Sequence, residues 1–146
     1  AGPMITLALA AAFYGLTWAG ELLGWPATVV AVCDYLAVIN LLLLFVGAFM
    51  ETIAALLILF PVLLGVALHV GVDPIQFAMI MVLNLVIGLT TPPVGVCLFV
   101  ASSIGNVSLE RISKACLPFM MVSLLVLMLV TYVPEVSLWL PGLFYD

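Results

Sequence analysis

Charge is what this sequence has least of. Only 6% of its 146 residues are charged, whereas 68% are hydrophobic. Soluble domains carry about a quarter charged residues, so this chain has too few polar side chains to cover a water-facing surface. Two bases stand against seven acids. The single basic pair, Arg111 and Lys114, is too small for a nucleic-acid surface. One histidine, His69, has no His or Cys partner near it in sequence, which excludes a metal-ligand cluster. Cys33, Cys97 and Cys116 lie singly in apolar runs and read as small hydrophobes. No nucleophile–base pair can be assembled, so the chain reads as a non-enzyme with no cofactor. Its opening, Ala1-Gly2-Pro3, has neither a start methionine nor a basic signal region, and reads as that of a fragment or a processed piece.

What is present is apolar sequence in long continuous runs. They do not alternate every second residue, which favours helices in lipid over a barrel. The expected class is an all-α membrane protein. Met4 to Gly20 is just long enough to cross a hydrocarbon layer about 30 Å thick. Leu22 to Cys33, interrupted at Gly24-Trp25-Pro26 and closed by Asp34, is too short to cross and reads as an interfacial arm. Tyr35 to Val70 holds one formal charge, Glu51, near its middle, and Gly47 to Ile53 makes a poor water-facing loop. Each half is short for a crossing, so a re-entrant hairpin with its tip inside the protein is expected, with two ordinary spans as the alternative.

Asp73-Pro74-Ile75-Gln76 predicts a helix start, with Asp as the cap, Pro in the first turn and Gln completing a capping box. That helix meets Gly88-Leu89-Thr90-Thr91-Pro92-Pro93-Val94-Gly95, where two prolines remove two backbone donors. Apolar sequence resumes from Val96 to Ile104, and only the two halves together span: a broken transmembrane helix. Gly105-Asn106-Val107-Ser108 is a turn, with Ser108 as a cap, and Ala115 to Val133 a final span. Three units follow: a scaffold-type helix and arm (1–34), a transport-type half with hairpin 35–70 and broken helix 74–105 (35–105), and a final helix with C-terminal tail (106–146). Both bases lie in one short connection, which puts that connection in the cytoplasm and the C-terminus outside.

Unwinding a helix in lipid frees carbonyls that need partners, and a cation is one such partner. Gly88, Thr90, Thr91 and Gly95 allow close approach to the backbone and add two hydroxyls. The end of the first half-helix favours a cation, and the start of the second offers N–H groups to an anion. A proline kink serving only packing is the plainer reading. An ionised Glu51 at bilayer depth costs about 2.5–3.5 kcal/mol. It could attract a cation, carry a proton, orient the tip by accepting backbone hydrogen bonds, or simply meet water. Thr52 and Gly47 beside it add an oxygen and a close approach. Asn84 shares a helix face with Gly88 and either ligates or bonds across helices. Asn40 reads as an interhelical hydrogen bond.

The run from Gly88 to Ser102, the hairpin Leu44 to Ala55, and Gly71-Val72-Asp73-Pro74 occur in an order that resembles one family. So do Ser108-Leu109-Glu110-Arg111, Tyr132-Val133-Pro134 and Leu138-Trp139-Leu140-Pro141. The resemblance is to the large membrane subunit of the tripartite ATP-independent periplasmic (TRAP) transporters, in its C-terminal part, and is strongest over residues 35 to 143. It implies one inverted-repeat half of an elevator-type fold in the bacterial inner membrane. It implies Na⁺-coupled import of small carboxylates, C4-dicarboxylate or sialic-acid-like. The implied partners are membrane lipid, the rest of the large subunit, a small membrane subunit and a periplasmic substrate-binding protein. It implies an ion site at Gly47, Glu51, Thr52, Gly88, Thr90, Thr91, Pro92 and Gly95, and substrate contacts at Asn84, Pro93 and Val94. Val96-Cys97 stands where the family more often has Leu-Asn, and the first repeat is absent. A proton-coupled carrier and a non-transporting scaffold subunit are the alternatives.

Overall fold

A computed structural model describes residues 2–91 and 95–145. Among the described residues the chain is helical throughout, in the order α1 (Gly2–Leu22), α2 (Ala27–Phe49), α3 (Thr52–Val70), α4 (Pro74–Leu89), α5 (Val96–Gly105), α6 (Leu109–Tyr132) and α7 (Pro134–Tyr145). α2, α3 and α6 are each long and apolar enough to cross a membrane, whereas α4 and α5 are too short singly. The chain is an all-α membrane protein.

The interfacial arm expected over Leu22–Cys33 shrinks to a short turn after Leu22. Pro26 occupies the N-cap of α2, where a missing N–H costs nothing. Asp34, expected to close the arm, lies within α2 and does not break it. An aspartate in a helix interior costs less than about 0.7 kcal/mol and keeps its backbone bonds. The boundary drawn between residues 34 and 35 therefore falls inside one helix. α2 has 23 residues, about 35 Å, so the shortness argued for the first half of the hairpin does not hold.

Between α3 and α4 the chain reverses through Gly71 at φ 87°, a left-handed conformation that glycine adopts without a Cβ penalty. Asp73 then caps α4, accepting at Oδ1 from Ile75 N–H at 2.8 Å, with Pro74 in the first turn. Gln76 does not complete the expected capping box. Its Nε2 instead donates to the carbonyls of Val130 (3.3 Å) and Thr131 (3.0 Å), which pins the start of α4 to the end of α6. At the other end of α6, Ser108 holds the N-cap position without a side-chain bond, and Lys114 pairs with Glu110 at 2.7 Å one turn along the surface.

α4 is the hub, packed against α2, α3, α6 and α7. Leu36, Ile39 and Leu43 of α2 meet Phe77, Ile80, Met81 and Leu85 of α4 in one core, with Ala55 and Ala67 of α3. Ala37 and Leu44 turn the other way, toward Phe13 of α1 and Met120, Leu124 and Leu127 of α6. α3 fully buries only Ala55 and Ala67, leaving most of its apolar surface uncovered.

The Gln76 anchor also sets levels. Gly88 lies twelve residues beyond Gln76, about 18 Å along α4, while α6 runs about 33 Å from Thr131 back to Leu109. Ile87 packs with Met120 and Leu124, in agreement with that count. Gly47, three residues before the turn that joins α2 to α3, meets α4 at this level, so the turn lies about 5 Å further on and about 10 Å short of the far end of α6. Chain continuing upward there belongs to α5, which packs on α6.

Candidate functional site

The tip of the hairpin is two residues, Met50 and Glu51, between α2 and α3. Glu51 is the N-cap of α3. Its Oε1 accepts from Ile53 N–H at 3.0 Å and its Oε2 from Ala54 N–H at 2.9 Å. Of the roles open to it, orienting the tip through backbone hydrogen bonds is the one this geometry realises. The carboxylate is solvent-exposed in this chain taken alone. Thr52 follows, and its Oγ1 is enclosed with no hydrogen-bond partner among the described residues.

The break begins where α4 ends at Leu89. Thr90 N–H donates to Ile87 O and Thr91 N–H to Gly88 O, tightening the last turn. The hydroxyls of Thr90 and Thr91 also donate to Ile87 O, at 2.9 and 2.8 Å. Both protons are thereby spent, and the hydroxyl lone pairs stay available as acceptors. Gly95 N–H returns to Thr91 O at 3.0 Å. A Cβ on Gly95 would lie 2.8 Å from Leu89 O and 3.2 Å from Thr91 O, so the returning backbone lies directly on carbonyls at the end of α4. Pro92, Pro93 and Val94 lie outside the described residues.

Tip and break touch through bare backbone. A Cβ on Gly88 would lie 2.7 Å from the carbonyl carbon of Gly47 and 2.8 Å from its Cα. A Cβ on Gly47 would lie 2.9 Å from both Cα and O of Leu85. Gly47, Gly88, Thr90, Thr91 and Gly95 are thus brought to one level, with Glu51 and Thr52 at the adjoining tip.

Four helix ends converge there. α2 and α4 end, presenting carbonyls, while α3 and α5 begin, presenting N–H groups. The two beginnings are not equivalent. α3 has its first donors occupied by Glu51, whereas α5 starts at Gly95 with no side-chain cap. Positive character is offset by Glu51 at the start of α3 and left without a side-chain cap at the start of α5.

Asn84, expected as a substrate contact, is not at that uncapped start. It is 0% exposed between α2 and α4, and its Nδ2 donates to Asn40 Oδ1 at 2.6 Å and to Ile80 O at 2.7 Å. Asn40 is also 0% exposed and donates to Leu36 O at 2.7 Å. Asn40 thus makes the interhelical bond expected of it. The sequence reading missed the Gly47–Gly88 contact and the long reach of Gln76. Asn84, four positions before Gly88, and Asn40, seven positions before Gly47, were the available signal.

Residues 5–136 match the family model described as the tripartite ATP-independent periplasmic transporter, DctM component. The chain is 48% identical over 126 residues to the isethionate TRAP transporter permease protein DctMQ of Oleidesulfovibrio alaskensis, covering 86% of this chain and 19% of that protein. It is 48% identical over 108 residues to the C4-dicarboxylate TRAP transporter large permease protein DctM of Pseudomonas aeruginosa, covering 74% and 25%. Against the sialic acid TRAP transporter large permease protein SiaM of Vibrio cholerae it is 45% identical over 109 residues, covering 75% and 26%. The chain spans about a fifth to a quarter of the length of these relatives.

Proposed function

Because this chain belongs to the DctM family of TRAP transporter large permeases, we propose that it forms the C-terminal half-site of a Na⁺-coupled importer of small organic anions. The observation that carries the reading is the backbone contact of Gly47 with Gly88, which joins tip to break. Carbonyls ending α2 and α4, with the hydroxyl oxygens of Thr52, Thr90 and Thr91, would surround the ion, alongside Gly95 and Pro92. Glu51 holds the tip in shape and adds negative charge nearby. The anion would meet the uncapped start of α5, beside Pro93 and Val94. Asn84 acts behind them through helix pairing.

The relatives' named cargoes, isethionate, C4-dicarboxylates and sialic acid, are all anions, and a small carboxylate is the class proposed here. A bound cation lowers the cost of placing an anion at membrane depth, and the reverse holds equally, which couples the two. The turn's position, about 10 Å short of the far end of α6, supports a re-entrant hairpin that would ride with the broken helix in an elevator-type movement. The missing part of the large subunit, a small membrane subunit and a periplasmic binding protein would complete the machine in the inner membrane.

The test is uptake by the full complex in proteoliposomes. It should require Na⁺, and Thr90→Val should raise the Na⁺ half-saturation concentration by about tenfold or more, the scale of one lost polar contact to a charged group. Unchanged Na⁺ activation in that variant would refute the site. Uptake that follows pH, ignores Na⁺ and vanishes in Glu51→Gln would favour the proton-coupled alternative. Against that alternative stands the geometry of Glu51, whose two carboxylate oxygens both accept from backbone N–H groups of its own tip.

A further inference from the structure

Asn84 and Asn40 make the one side chain–side chain hydrogen bond that joins two helices among the described residues. Asn84 precedes Gly88 by four residues and Asn40 precedes Gly47 by seven, so pair and glycine contact lie on one seam between α2 and α4. The bond therefore sits one to two turns behind the place where tip meets break.

The pair is a poor choice for packing alone. Asn84 Oδ1 is fully enclosed and has no hydrogen-bond partner among the described residues. Two leucines of similar bulk would leave no acceptor unpaired, and replacing both partners of a buried polar pair by apolar groups is often near neutral. Apolar ridges, however, can slide. Leu36, Ile39 and Leu43 of α2 face Ile80, Met81 and Leu85 of α4, and a shift by one turn exchanges one apolar side chain for another. An amide finds its partner in a single register.

We propose that the Asn40–Asn84 hydrogen bond is a positioning pair that fixes the register of α2 on α4 and so holds Gly47 against Gly88. Its effect on Na⁺ rests on the function proposed above; its effect on helix register does not. The experiment uses the full transporter in a cysteine-free form, carrying spin labels at Phe45→Cys on α2 and Val86→Cys on α4, both exposed positions in this chain. The distance distribution is measured in the parent, in Asn40→Leu with Asn84→Leu, and in Asn40→Asp. Asn40→Asp keeps an acceptor for Asn84 and, protonated in this buried setting, a donor for Leu36 O.

The double leucine variant should fold and insert but show a shifted or broadened distribution, with Asn40→Asp like the parent. Its Na⁺ half-saturation should rise about three- to twentyfold, the range that one interhelical side-chain hydrogen bond supports in a membrane. An unchanged distribution in the double variant overturns the proposal, as does Asn40→Asp disturbed to the same degree. If the double variant fails to insert, Asn84→Ala, which deletes the amide alone, is read by the same distance. A shifted distribution in a transporter indifferent to Na⁺ leaves the register role standing and removes the ion site.

Discussion

At the residue scale, glycines divide by what surrounds them. Gly47, Gly88 and Gly95 each have backbone atoms within 2.9 Å of where a Cβ would stand, whereas Gly65 and Gly15 have nothing within 4 Å. Backbone cannot swing aside as a flexible side chain can, so Gly88→Ala must push α2 from α4. Forcing a methyl into a packed seam costs about 1–3 kcal/mol. Gly88→Ala should therefore raise the Na⁺ half-saturation at least about tenfold or abolish uptake. Gly65→Ala, in the exposed interior of α3, should leave transport unchanged and stabilise the protein by about 0.5–1 kcal/mol, because alanine replaces glycine in a helix. Paired uptake and thermal-unfolding measurements check both, and equal effects of the two exchanges would remove the significance given to the contact. The sequence alone could propose small residues for close approach; it could not say which backbone came close.

At the element scale, Gln76 acts as a clamp between the start of α4 and the end of α6. The last carbonyls of a helix have no partner in their own helix, and inside a membrane protein no water replaces it. Gln76→Leu should lower stability by about 1–3 kcal/mol, seen as an earlier unfolding midpoint in detergent, while Gln76→Glu in its protonated form recovers part of it. A midpoint unmoved by Gln76→Leu would show that the clamp is idle. This residue also marks how far the sequence could be read. Asp73-Pro74 announced a helix start because capping is local, and Thr-Thr-Pro-Pro announced the end of α4 because lost donors are local too. Gln76 binds carbonyls 54 and 55 residues away, and Asn84 binds a partner 44 residues away. Such choices depend on which helices meet, which periodicity does not specify. Asp34 misled for a related reason: a charge is a weak helix breaker, and the backbone changes course only over Leu23-Gly24-Trp25-Pro26, with Gly24 at φ 71°.

At the scale of the whole molecule, both bases lie at one end. Glu110, Arg111 and Lys114 cluster at the start of α6, beside the turn through Asn106. The opposite end holds the α3–α4 turn and the start of α7. The orientation we propose follows the positive-inside rule: the α6 start would face the cytoplasm, and the hairpin would enter from the periplasmic side. A membrane-impermeant thiol reagent should label Asn106→Cys only after cytoplasmic access is given, and a reporter fused at the C-terminus should read as periplasmic. Labelling of Asn106→Cys in intact cells would reverse the orientation. α3, nearly uncovered along its length, is then the face left for lipid or for the remainder of the large subunit.

Where residue 47 rests on residue 88, two peptide planes press together with no side chain between them. A joint of that kind has no adjustable part: neither face can be made smaller, and enlarging either one prises it open. On the function proposed here, diversification toward new cargoes or ions would have to be written into the ring of residues around it. The hinge pin itself stays as plain as chemistry permits.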